Sequence, residues 1–147
     1  MTRSRGKSEM AAMKLNGQLT FNGQCEEAFK FYEKLLGGKI VSLLRWGDTP
    51  MGEKAPKEFK NKVIHAHMTA PGLELGGGDA PPNMYAKPQG MKIGIEIEQP
   101  AEAEKLFKAL SEGGSVEMPL QETFWAQRFG MCVDRFGTPW LINCGKH

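Results

Sequence analysis

One helical stripe occurs twice in this chain. Ala28, Phe31, Tyr32 and Leu35 recur at i, i+3, i+4 and i+7, and Ala103, Leu106, Phe107 and Leu110 repeat that spacing 75 residues later. Leu36 widens the first stripe. Each stripe stops at a glycine pair, Gly37-Gly38 and Gly113-Gly114, where a helix C-cap needs left-handed backbone. The two pairs lie 76 residues apart, so the halves differ by a one-residue loop change. A repeat of this length within 147 residues points to two copies of one supersecondary unit.

The flanking segments define that unit. Leu15, Leu19 and Phe21, with polar Gln18 and Thr20 interleaved, predict a strand over residues 15–21, and Asn22-Gly23 supplies turn and helix-cap chemistry. Strands over 39–46, 63–69 and 73–75 follow the helix, the last two joined by Pro71-Gly72. Residues 47–62 are charged, hold Pro50 and Pro56, and read as a long surface loop able to cap a cavity. In the second half Ile93, Ile95 and Ile97 alternate, Pro100 opens the helix, and strands are predicted over 116–120, 128–134 and 138–144. Each half is βαβββ, and the fold class is α+β. One such unit leaves a sheet face uncovered, so the two are expected to pair around a concave sheet cavity. Residues 1–12 read as a flexible extension and 13–147 as one domain of two modules, 13–82 and 83–147. Gly76-Gly77-Gly78 and Pro81-Pro82 form the link.

Charge narrows the partners. From Met13 onward the chain holds sixteen basic and sixteen acidic residues; the net +2 sits on Arg3, Arg5, Lys7 and Glu9. A nucleic-acid binder carries its basic surplus on the folded body, so nucleic acid is not expected as a partner. No apolar run approaches the roughly 18 residues of a membrane span, and the first twelve residues lack a signal-peptide core. Cys25, Cys132 and Cys144 form no C-x-x-C pair and read as buried reduced thiols of a cytoplasmic protein.

Three groups of side chains are candidates for ligand binding. His65 and His67, two apart in a strand, face one side of the sheet, as a metal pair, a general base or a half-buried hydrogen-bonded pair would. Lys92, Glu96 and Glu98 share the face opposite the isoleucines and read as acid–base groups or as a solvated face. Phe124, Trp125, Arg128 and Trp140 read as a clamp for a planar or anionic ligand, or as packing. The glycine triplet lacks the Gly-Lys-Ser/Thr ending of a phosphate loop, and no nucleophile–His–Asp arrangement stands out.

The run Asn22-Gly23-Gln24-Cys25-Glu26-Glu27-Ala28-Phe29-Lys30-Phe31-Tyr32, Phe124-Trp125, Arg128-Phe129-Gly130-Met131 and Asp134-Arg135-Phe136-Gly137-Thr138-Pro139-Trp140 resemble one known family. It is the PhnB-like branch of the vicinal oxygen chelate superfamily, which includes glyoxalases, bleomycin-resistance proteins and dioxygenases. The resemblance covers residues 13–144 and implies a glyoxalase-like fold and a homodimer; it does not imply one activity. Metal-dependent members take His and Glu ligands from the first and last strand of each module. Here those positions fall at about Gly17, Lys92 and Leu141, with Asn143 a weak substitute and only Glu74 or Asp79 retained. The resemblance therefore implies a cavity that takes a small organic ligand without the usual metal centre and with no cofactor. No glycine-rich loop for S-adenosylmethionine accompanies it. The alternative is a divalent-metal-dependent lyase, isomerase or dioxygenase with His65, His67, Glu74 or Asp79 as rearranged ligands.

Overall fold

A computed structural model describes residues 12–146. Two βαβββ modules follow each other as predicted. The first comprises β1 (Gly17–Phe21), α1 (Cys25–Leu36), β2 (Lys39–Arg45), β3 (Val63–Ala70) and β4 (Leu73–Asp79). The second comprises β5 (Ile93–Glu96), α2 (Pro100–Ser111), β6 (Ser115–Gln121), β7 (Ala126–Val133) and β8 (Pro139–Gly145). Each sheet is mixed, in the orders β1-β4-β3-β2 and β5-β8-β7-β6, with one parallel pair joining its first and last strands. The extension expected over residues 1–12 lies, apart from Ala12, outside the described residues.

The second stripe is buried as its spacing demands; in the first, Ala28 and Tyr32 are buried but Phe31, Leu35 and Leu36 only partly, and the face turns toward Cys25 and Phe29. Cys25, Ala28, Phe29 and Tyr32 of α1 are buried, as are Ala103, Leu106, Phe107 and Leu110 of α2. Gly37 and Gly113 take positive φ, +67° and +78°, where the glycine pairs were expected to end the helices. The buried residues form one cluster shared by both modules, running from Phe21, Met68 and Leu75 to Trp140 and Ile142. Tyr32 stitches the modules together. Its ring meets Trp140 edge-on at 5.3 Å, and its hydroxyl donates to buried Asp134 at 2.5 Å. Asp134 also accepts from Trp140 Nε1 and from the backbone N–H groups of Phe136 and Thr138.

Several segments differ from the sequence reading. Leu15 lies before β1 and is exposed. The Gly76-Gly77-Gly78 run is not a link but the second half of β4, an inner strand. A Cβ at Gly77 would meet the Phe29 ring at 3.0 Å, and one at Gly78 would meet the Ile64 carbonyl at 2.4 Å, so helix and neighbouring strand come too close for a side chain. The N-terminus of α1 is capped not by Asn22 but by Asp79, which accepts from the Cys25 N–H at 2.9 Å and from the Val63 N–H at 2.9 Å. Residues 47–62 hold three short 3₁₀ turns pinned to the module's end. Trp46 packs at a tilt against buried Phe59 and donates to the Asp79 carbonyl.

Candidate functional site

Strand parity sorts every candidate residue onto one of two faces. In the first sheet Leu75, Gly77 and Asp79 face the helix, paired with Gly17, Leu19 and Phe21. The alternate residues make an open face, with Gln18, Gly76, His67 and Ser42 in one cross-strand row. Gly76 is needed there: a Cβ would fall 2.5 Å from the Gln18 amide, which lies across it. His67 Nε2 sits 2.8 Å from Glu74 Oε1, and Lys14 Nζ 3.2 Å from Glu74 Oε2. The Lys14 ammonium and the His67 ring together hold the Glu74 carboxyl below its ordinary pKa. His65 is exposed, its ring nearly parallel to that of His67 with centroids 6.3 Å apart.

The second sheet repeats the scheme with different chemistry. Trp140, Ile142 and Cys144 face the core. Gly94, Leu141, Met131 and Met118 form one open-face row, and Glu96, Asn143, Phe129 and Gln121 form the next. Asn143 Nδ2 donates to both Glu96 oxygens, at 3.0 and 3.2 Å. Trp125 packs edge-on against Phe129, centroids 5.1 Å apart. Lys92 reaches from the β5 edge to Glu117 on the β6 edge, 2.8 Å away. The structure thus gathers Lys92, Glu96 and Trp125 on one open face and His65 and His67 on the other. Arg128 joins neither: it shares parity with core-facing Cys132 and Cys144, and its Nε donates to Glu104 of α2 at 2.9 Å.

A cleft of about 440 Å³ runs between the modules, within the usual size of small-molecule sites. Asn16, Gln18 and Thr20 form one wall; Lys92, Met91 and Pro88, with Pro139 at the start of β8, form the other. None of the loop 47–62 contributes to it. The expected capping of a cavity by that loop is therefore not seen at this cleft.

The residues do not fit the superfamily metal centre. Gly17 lies on the helix side, Asp79 is spent on two backbone amides, Lys92 presents a paired cation and Leu141 has no donor atom. Where first and last strands meet on the open faces, the facing pairs are Gln18–Gly76, Thr20–Gly78, Gly94–Leu141 and Glu96–Asn143. Of these eight residues only Glu96 is a carboxylate, and none is His or Cys. Among the described residues, no group of three His, Cys, Asp or Glu side chains converges as metal ligands do.

Sequence reasoning missed Gln18, Phe129 and Met131 as site residues and named Leu141 only as a ligand position without a donor atom. Each alternates with a core residue of its own strand, so period-two parity counted from Phe21, Cys132 and Ile142 finds them.

Two βαβββ modules with parallel first and last strands define the class to which this fold belongs. Residues 16–142 match the family model of the Glyoxalase/Bleomycin resistance protein/Dioxygenase superfamily, and the chain belongs to that superfamily. Within it the chain is PhnB-like. It is 33% identical over 142 residues to protein YjdN of Escherichia coli K12, covering 91% of this chain and 97% of that one. The crystal structure of PA1353 from Pseudomonas aeruginosa is similar at 42% identity and a TM-score of 0.82, covering 92% of this chain and 99% of that one. The PhnB protein from Bacillus cereus is similar at 27% identity and a TM-score of 0.76, covering 90% of this chain and all of that one. Among the described residues no helix is long and apolar enough to cross a membrane.

Proposed function

We propose that this protein binds a small organic molecule between its two modules through hydrogen-bonding side chains, in place of the superfamily's metal centre. The observation that carries this reading is the 440 Å³ cleft, whose partly apolar lining includes Gln18 of β1 and Lys92 just before β5. In this reading the Gln18 amide, and a Lys92 ammonium that exchanges Glu117 for the ligand, orient its polar part, and Ile93, Leu19 and Pro139 cover its apolar part. The reading includes a cytoplasmic homodimer without nucleic-acid or membrane partners. The buried unpaired thiols support the compartment, and exposed Val41, Leu44 and Val116 on the edge strands β2 and β6 support a partner copy. The methyltransferase name that the B. cereus relative bears is not carried over, because the glycine run 76–78 is an inner strand rather than a cofactor loop.

A thermal-shift screen of small organic acids, amines and neutral heterocycles tests this. A ligand at 100 times its dissociation constant adds about 2.7 kcal/mol, about 5–10 °C for a chain of this size. Hits are expected to lose that shift in Gln18→Ala and Lys92→Ala; hits indifferent to both substitutions refute the cleft assignment.

A second reading draws on one arrangement, the parallel His65 and His67 rings beside Glu74. It is a metal-dependent lyase, isomerase or dioxygenase with ligands moved onto β3 and β4. Stoichiometric metal that His67→Ala removes would favour it.

A further inference from the structure

On the helix side of the molecule an aliphatic groove runs toward an arginine that has no carboxylate partner among the described residues. We propose that this groove binds a medium-chain aliphatic carboxylate, at a site that shares no lining residue with the cleft.

The groove holds about 500 Å³ between the two helices. Leu35 and Leu36 of α1, Ile95 and Ile97 at the end of β5, and Leu106 and Ala109 of α2 line it. Leu35, Leu36, Ile95 and Ile97 pack against the core yet stay only partly buried, so apolar area remains for a ligand to take out of water. All six of these side chains are aliphatic, a lining that suits an alkyl chain.

Both helices lead from the groove to the same arginine. One turn before Leu35, the Phe31 ring lies 4.3 Å from the Arg135 guanidinium carbon, and the Phe136 ring lies 4.5 Å from it. One turn after Ala109, a Cβ at Gly113 would meet Arg135 Cβ at 3.4 Å and Cδ at 3.5 Å, so the stem of Arg135 lies over that turn. Rings and turn hold the guanidinium in place, which leaves little side-chain freedom to lose on binding. Arg45 is forked onto Glu26 and Arg128 is bonded to Glu104, whereas exposed Arg135 makes no ion pair among the described residues, Glu112 beside Gly113 included. Its N–H fork matches a carboxylate.

The other charges set the ligand's direction and length. Of those lining the groove, Glu96 is bonded to Asn143, and Glu102 and Lys105 stand on α2 about 12–16 Å before Gly113 at the helix rise. A carboxylate head at Arg135 is therefore far from Glu102, and an ammonium head there would meet a cation. From Leu106 to Gly113 is about 10 Å along the helix, the extent of a straight chain of about eight carbons.

Calorimetric titration of the full chain with decanoate, below its micelle concentration, tests the proposal against decylammonium and butanoate. Decanoate is expected to bind one per chain, and the other two at least about tenfold more weakly, since one lacks the anionic head and the other the chain. Arg135→Gln and Ala109→Phe, which fills the groove, are each expected to weaken decanoate about tenfold, while Gln18→Ala and Lys92→Ala leave it unchanged. Thermal unfolding checks that the variants fold; if Ala109→Phe does not, Arg135→Gln at its exposed position decides alone. No decanoate binding, equal binding of decylammonium, or undiminished binding in a folded Arg135→Gln or Ala109→Phe variant overturns the proposal. So does decanoate binding that Gln18→Ala and Lys92→Ala abolish, which would place the chain in the cleft. Conversion of a dimer to a monomer by Ala109→Phe in sedimentation also overturns it, by making the groove a contact between copies.

Discussion

Replacing Tyr32 by Phe removes one oxygen from the contact that ties the two modules together. The hydroxyl donates to Asp134 Oδ2 at 2.5 Å and lies 2.9 Å from Thr138 Oγ1, all three residues being buried. Burial, with the Asp134 carboxylate beside it, pushes the Tyr32 pKa well above its ordinary value, so the group acts only as a neutral donor. A hydrogen bond to a charged acceptor contributes about 1.5–3 kcal/mol, and Asp134 would keep its three N–H donors, so a loss of about 2 kcal/mol is expected. For a chain of this size that is a fall in Tm of about 6–8 °C. Ring packing against Phe21, Phe136 and Trp140 is retained in the variant. Calorimetry should therefore show one transition at lower temperature with native near-ultraviolet dichroism. A change below about 0.5 kcal/mol would refute the claim that this hydroxyl secures α1 to the β7–β8 turn; two separated transitions would refute a shared core.

Other consequences follow from the same contacts. Gly78→Ala places a methyl 2.4 Å from the Ile64 carbonyl and should cost about 1–3 kcal/mol in urea unfolding, whereas a flexible link would tolerate it. Asp79→Asn turns one acceptor toward the Cys25 or Val63 amide into a donor, and a loss of about 2 kcal/mol is expected in the same assay. The forked Arg45 guanidinium lowers the Glu26 pKa from 4.5 to about 2. The folded value lies below the unfolded one, so this stabilisation is present above pH 4.5 and is lost as pH falls toward 2. Being partly exposed, the pair should contribute about 1 kcal/mol at neutral pH, and Glu26→Gln should remove that part of the acid dependence. Burial raises the Cys25 thiol pKa and pushes that of Cys132 up to about 11, so in the native protein both should resist a thiol reagent until unfolding.

The repeat made the fold legible because helical spacing and glycine stops are local signals that tertiary packing reinforces at both places. The glycine run was misleading for the opposite reason: Gly76, Gly77 and Gly78 lack side chains because Gln18, Phe29 and the Ile64 carbonyl occupy that space, and all three lie far away in sequence. The cap on α1 was hidden likewise, 54 residues downstream in Asp79. Half of the candidate site was readable through strand alternation, which placed His65 with His67 and Lys92 with Glu96. The Arg128 pairing was not legible in residue type, which suggested a ligand clamp; its parity, shared with core-facing Cys132, sets it apart from Trp125 and beside Glu104.

The claim that hydrogen-bonding side chains replace a metal centre is tested most directly by thermal unfolding of chelator-treated protein against Ni, Co, Mn, Fe(II), Zn and Mg. Each metal is supplied at about 100 times a micromolar dissociation constant. The donor set predicts no shift from any of them. A rise of about 5–10 °C from one metal, abolished by Glu74→Gln or Glu96→Gln, would contradict it and restore metal chemistry to this fold.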